Sequence, residues 1–105
     1  FVSKEKFEKM KNGVIFINSS RGDVVDEHAL LKNLKNKKIK FACLDVLKNE
    51  HLLPNNQNEV IKYAKNNDNL IITPHMAGLT NESEILAAKI TLKNIKKNLF
   101  EMKRK

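Results

Sequence analysis

A chain of 105 residues holds one domain or part of one, and its 41% hydrophobic content is enough to build a core. No apolar run approaches the roughly 20 residues that a membrane-spanning helix needs, so that class of protein is excluded. Lys and Arg number 20 against 12 Asp and Glu, a formal charge of +8, but apart from Lys35 to Lys40 and Lys103 to Lys105 the basic residues are scattered. They lack the aromatic interleaving of a base-stacking surface, so the expectation is solvated helix faces, with no nucleic-acid partner and no membrane partner.

The single cysteine, Cys43, can form neither an internal disulfide nor a multi-cysteine zinc site. It fits a reducing, cytoplasmic setting, and no metal is expected. The first residue is Phe1, with no basic-then-apolar leader and no small-residue cleavage site. Neither a natural start nor a signal peptide is therefore expected there.

Phe1 to Met10 reads as a short helix with Ser3 as N-cap and Phe7 and Met10 one turn apart. Lys11-Asn12-Gly13 closes it. Val14 to Ile17 is then a short unbroken apolar run, which predicts a strand buried on both faces. It stops at Asn18-Ser19-Ser20-Arg21, and Gly22 permits a tight exit.

Asp26 reads as the N-cap of a helix of about ten residues, with Ala29, Leu30, Leu31 and Leu34 on one face and lysines on the other. Phe41 to Val46 is a second apolar run, broken by Asp45. A carboxylate in that company is costly to bury alone, so the strand's end and a ligand or donor are predicted for it. A loop from Leu47 to Asn58 carries Glu50-His51 and the turn-prone Pro54-Asn55-Asn56.

A weaker helix over Glu59 to Lys65 presents Val60, Ile61 and Ala64, and Leu70-Ile71-Ile72 is the third strand, ended by Thr73-Pro74-His75. Asn81 and Glu84 read as the capping box of a last helix. Its stripe Ile85, Ala88, Leu92, Ile95, Leu99 and Met102 is read as core packing along the whole length, and Lys103-Arg104-Lys105 as a basic cap.

Alternating strands and helices predict a parallel α/β sheet with right-handed crossovers. All three strands then point the same way. Asn18 to Arg21, Asp45 to Glu50 and Pro74 to Gly78 gather on one rim, where ligands bind in open α/β sheets. Taken singly, each residue has a plain reading. Arg21 is either a surface charge or a bidentate grip for a carboxylate, Glu50 a loop acid and His75 a structural imidazole. His28 and His51 read as exposed helix and loop residues.

Asn-Ser-Ser-Arg-Gly at 18 to 22, Val-Val-Asp-Glu-x-Ala-Leu at 24 to 30, Leu-Asp-Val at 44 to 46 with Glu50 following, and Thr-Pro-His-x-Ala-Gly at 73 to 78 occur in collinear order over nearly the whole chain. Together they resemble the D-isomer-specific 2-hydroxyacid dehydrogenases, in flavour the phosphoglycerate dehydrogenase-like members. The resemblance implies a partial Rossmann-type, doubly wound parallel sheet of three βα units, the second half of a nucleotide-binding domain.

It further implies that residues 1–79 belong to that half and that 80–105 form a helix returning towards a substrate domain outside the chain. By resemblance the intact protein is an NAD-dependent oxidoreductase, with NADP as the other cofactor, acting on a 2-hydroxy or 2-oxo acid. A 3-phosphoglycerate-like substrate is favoured, and the full-length protein is a cytoplasmic homodimer.

Arg21, Glu50 and His75 are then the catalytic set. Arg21 binds the substrate carboxylate and polarises the carbonyl, His75 exchanges a proton with the substrate oxygen, and Glu50 orients the imidazole. Ser19, Ser20, Arg21, Asp45, His75, Met76, Ala77 and Gly78 meet the cofactor, Asp45 through the nicotinamide carboxamide.

The sequence departs from the family in two places. His51 stands where the family commonly has proline after the glutamate, and no G-x-G-x-x-G is present to seat a pyrophosphate. The isolated chain is accordingly expected to be inactive, with an unpaired edge on its first strand. The alternative reading is a non-catalytic NAD-sensing protein or an inactive remnant of the same fold.

Overall fold

The structure, a computed structural model, describes residues 1–52 and 54–104. Leu53, in the predicted loop, and Lys105, in the predicted basic cap, lie outside the described residues. The chain divides into two compact units, Phe1–His75 and Met76–Lys105.

The first unit contains α1 (Lys4–Lys9), β1 (Val14–Asn18), α2 (Glu27–Lys35), β2 (Ile39–Leu44), α3 (Glu59–Asn66) and β3 (Leu70–Ile72). A single 3-10 turn at Gly22–Val24 follows β1. The strands pair in parallel in the order β1-β2-β3, with Ile15 opposite Phe41, Ile17 opposite Cys43 and Cys43 opposite Ile71. This is the α/β parallel sheet expected from the alternation of elements.

Adjacent parallel strands joined in one rotational sense carry their crossover helices on one face. Phe7, Leu30, Leu34, Ile39 and Val60 are the largest fully buried side chains, packed with Ala42, Leu44 and Leu70 of the sheet. Burying one leucine of this kind contributes about 2 kcal/mol. Phe7 meets Phe16 edge to face at 5.4 Å between ring centres, tying α1 to β1. Val2 pairs in parallel with Val25, which pins the start of the chain beside the start of α2.

Among the described residues of this unit the opposite face is exposed. Ile15 and Ile17 are 64% and 68% exposed, and Ile71, in line with them across β2, is 51% exposed. The prediction that Val14 to Ile17 is buried on both faces is therefore corrected. Its apolar run was read as two-sided, whereas the helical layer of this unit covers only the face of Val14, Phe16 and Asn18.

Three smaller corrections concern caps and boundaries. Ser3 holds the N-cap position of α1 but makes no side-chain cap bond; its carbonyl accepts from Lys6 and Phe7 instead. Asp45 and Val46 lie just beyond β2, which ends at Leu44 and takes in Ile39 and Lys40 at its start. The helix of the second unit, α4 (Asn81–Lys103), is capped by Thr80, whose Oγ1 accepts from Ser83 N–H at 3.1 Å, so Asn81 is its first turn and not its cap.

None of the residues of α4 is buried, and Ile85, Leu92, Ile95, Leu99 and Met102 are exposed. The stripe read as core packing thus has no layer over it among the described residues. By contrast Asp26 caps α2 as predicted, accepting from Ala29 N–H at 3.0 Å.

Candidate functional site

Parallel pairing brings the three strand ends to one rim, and the ladder continues past them. Asp45 N–H donates to the Asn18 carbonyl and Thr73 N–H to the Leu44 carbonyl, both at 2.9 Å. The polar segments after each strand are thereby held side by side.

After β1, the buried Asn18 organises the turn. Its Oδ1 accepts from Ser20 N–H at 3.1 Å and from the Ser20 hydroxyl at 2.7 Å, while its Nδ2 donates to the Arg21 carbonyl at 3.0 Å. This is the local side-chain turn chemistry that asparagine favours. Arg21 is exposed, and its Nη1 donates to the Ser20 carbonyl at 2.8 Å. Gly22 then approaches the next loop closely. A Cβ placed there would lie 2.1 Å from the Leu47 carbonyl carbon and 2.3 Å from Lys48 N.

After β2, Asp45 is 8% exposed and accepts from the Thr73 hydroxyl at 2.6 Å. The donor predicted for this carboxylate is therefore a hydroxyl from the neighbouring strand end, as the cost of burying a bare charge requires. Glu50 is held from two sides. Its Oε2 accepts from Leu47 N–H at 3.1 Å, and its Oε1 lies 2.5 Å from His75 Nδ1. The His75 ring, followed by the Leu47 N–H, holds the Glu50 carboxyl below the usual carboxylate range.

His75 has a φ of +53°, in the left-handed region that non-glycine residues seldom occupy. Asn49, in the loop that carries Glu50, has a φ of +55°. Strained backbone of this kind persists where surrounding contacts over-determine it. Here the His75 N–H to Thr73 carbonyl bond, at 3.0 Å, and the Glu50 contact do so.

Two clefts flank the Glu50–His75 pair. One, of about 320 Å³, is lined by Asp45, Ile61, Ile72, Thr73 and Pro74 together with the pair. The other, of about 460 Å³, adds Arg21, Gly22 and Asn49. The structure thus groups Asp45, Glu50 and His75 around the first and Arg21, Glu50 and His75 around the second. Ser19 and Ser20 line neither, and the Ser20 hydroxyl is engaged by Asn18. Met76, Ala77 and Gly78 belong to the second unit, where the Met76 carbonyl accepts from Leu79 N–H at 3.0 Å.

The first cleft sets the Asp45 carboxylate beside the apolar walls of Ile61, Ile72 and Pro74, the mix of one polar group and apolar surface that small-ligand sites use. Sequence reasoning passed over three contributors. The Thr73 hydroxyl had its signal in Thr-Pro at a strand end, and the Leu47 N–H had none. His51 was read as a loop residue; it is 88% exposed, yet its Nε2 lies 3.5 Å from Glu50 Oε1.

Residues 1–77 match the model of the family described as D-isomer specific 2-hydroxyacid dehydrogenase, NAD binding domain. The chain is 39% identical over 94 residues to a D-3-phosphoglycerate dehydrogenase of Archaeoglobus fulgidus, covering 90% of this chain and 17% of that protein. It is 38% identical over 109 residues to an aromatic 2-oxoacid reductase of Clostridium sporogenes, covering 97% and 32%.

Among solved structures, D-lactate dehydrogenase with NAD+ from Lactobacillus jensenii superposes with a TM-score of 0.69 at 34% identity, over 88% of this chain and 30% of that one. A family member from Xanthobacter autotrophicus in complex with NADPH and MES gives 0.61 at 36%, over 72% and 23%. The chain therefore spans a third or less of the length of these relatives. No described helix is long and apolar enough to cross a membrane.

Proposed function

The chain belongs to the D-isomer specific 2-hydroxyacid dehydrogenase family, and from that premise we propose that it supplies the acid/base and carboxylate-binding part of an oxidoreductase acting on D-2-hydroxy and 2-oxo acids. Residues 1–79 are the carboxyl-terminal half of the dinucleotide-binding domain, and 80–105 lead towards a substrate domain. A bound nicotinamide cofactor would supply the hydride chemistry at C2 of the substrate, NAD+ taking the hydride from a hydroxy acid and NADH giving it to an oxo acid. A 3-phosphoglycerate-like acid is the favoured substrate, with the Archaeoglobus relative as its support.

The observation that carries the reading is the Glu50–His75 contact between the two clefts. With Nδ1 paired to the Glu50 carboxylate, Nε2 is the nitrogen left to hold or release a proton at the substrate oxygen. Glu50 keeps the ring oriented through Oε1 and is itself fixed by Leu47 N–H through Oε2. Arg21 offers a planar fork to the substrate carboxylate across the cleft of about 460 Å³. Asp45, steadied by Thr73, would accept from the carboxamide of a bound nicotinamide, and the family resemblance assigns Ser19, Ser20 and residues 76–78 to the same cofactor end.

The test is a chimera in which these residues replace the matching segment of the Archaeoglobus fulgidus relative. NADH oxidation by a 2-oxo acid is expected, falling by about 10²–10⁴-fold on His75→Ala. An active chimera indifferent to that change would contradict the assignment and favour cofactor sensing. The 105-residue chain alone is expected to show no turnover, since it carries no glycine-rich turn for the pyrophosphate.

A further inference from the structure

Glu50 Oε1 faces two imidazoles. His75 Nδ1 is 2.5 Å away, and His51 Nε2, on the following residue, is 3.5 Å away. The other carboxylate oxygen accepts from Leu47 N–H, so both rings face the same remaining oxygen. We infer that His51 is a proton-dependent positioning residue for His75, competing with it for one oxygen of Glu50. The inference rests on the proposed role of His75 in the dehydrogenase reaction.

Neutral His51 at 3.5 Å makes no good hydrogen bond, and the carboxylate then belongs to His75. Protonated His51 brings a full positive charge to the same oxygen, which draws on the carboxylate and sets a like charge near the second ring whenever that ring is also protonated. The remaining charged groups in reach are Arg21 and Asp23, which line the cleft of about 460 Å³, and Asp45, on the other side of the pair. Asp45 is engaged by Thr73, and His51 Nε2 lies 3.5 Å from Glu50 Oε1.

Because His51 is 88% exposed, its pull is modest and screened by salt. The test is an NMR pH titration of the 105-residue chain, following the Glu50 carboxyl carbon and His75 Nδ1, in the native protein, His51→Gln and the remote control His28→Gln. The His75 Nδ1 signal of the native protein is expected to differ from that of His51→Gln in acid and to coincide with it in base. Glu50 should bind its proton about twofold more tightly in His51→Gln, a difference that disappears in 1 M salt. His28→Gln should follow the native curves.

Superimposable curves for native and His51→Gln would overturn the inference. No cofactor enters this measurement, so it stands or falls separately from the dehydrogenase assignment.

Discussion

At the carboxyl rim of the sheet the hollow beside His75 measures about 320 Å³, and at the amino rim the hollow beside Lys37 measures about 910 Å³. The smaller one is where the proposed chemistry lies. At the amino rim, Tyr63 donates to Asn69, Asn69 Nδ2 reaches the Leu34 carbonyl and Asn67 bonds back to Tyr63, so these polar groups close helices and turns. Lys35, Lys37 and Lys40 line the same hollow as Asp68, and no ion pair joins them among the contacts of the described residues. At the carboxyl rim, side chains from three separate segments meet one another, as in Thr73–Asp45 and His75–Glu50. Convergence of reactive groups, not concavity, marks a site.

The largest expected difference between the rims comes from their glycines. Gly22→Ala places a methyl group 2.1 Å from backbone atoms of Leu47, which can be relieved only by parting the loops that carry Arg21 and Glu50. About 3 kcal/mol of stability should be lost in urea unfolding. Gly13, at the amino rim, has open space around it and a φ of +79°. Gly13→Ala should cost about 1 kcal/mol through backbone strain alone. Equal losses would remove the distinction.

The next effect compares one hydrogen bond from each rim. Thr73→Val deletes the donor to the buried Asp45, and Tyr63→Phe deletes the donor to Asn69. Each should lower stability by about 1 kcal/mol. In the chimera, however, only Thr73→Val should also raise the KM for NADH. An unchanged KM in that variant would detach Asp45 from the cofactor.

The smallest effect is the pH dependence. Glu50 is lowered, mainly by the His75 hydrogen bond and then by Leu47 N–H. Its stabilisation is therefore present above the ordinary carboxylate range and lost as pH falls through its lowered folded value. Glu27 runs the other way, since partial burial raises it against the opposing pull of the Lys48 N–H. Its contribution is present below the ordinary carboxylate value and lost as pH rises through the raised one. Urea midpoints against pH for Glu50→Gln and Glu27→Gln should therefore diverge from the native curve with opposite slopes.

The strands and their shared direction were legible because short apolar runs ending in polar clusters have few alternatives. Leu70–Ile72 matches residue for residue, and Asp26 announced α2 through its own side chain. The bare face of Ile15, Ile17 and Ile71 was not legible, since an apolar run records what a strand can tolerate and not which layers lie over it. Nor was the Thr80 cap, because Asn81 and Thr80 are both good caps one residue apart and only the backbone decides between them. At the site, Arg21 and Asp45 stood out by chemistry and strand-end position, and Glu50 and His75 by the resemblance to the dehydrogenase family. His51 did not, because its nearness to Glu50 Oε1 depends on the loop conformation set by Asn49 and Leu47.

The measurement closest to the central claim is an NMR shift map of the chain titrated with millimolar NAD at physiological salt. Perturbation of Asp45, Thr73 and His75, with Gly13, Lys37 and Tyr63 unmoved, is the expected result. Shifts confined to the lysine-lined amino rim, or no shift at Asp45 and His75, would contradict it.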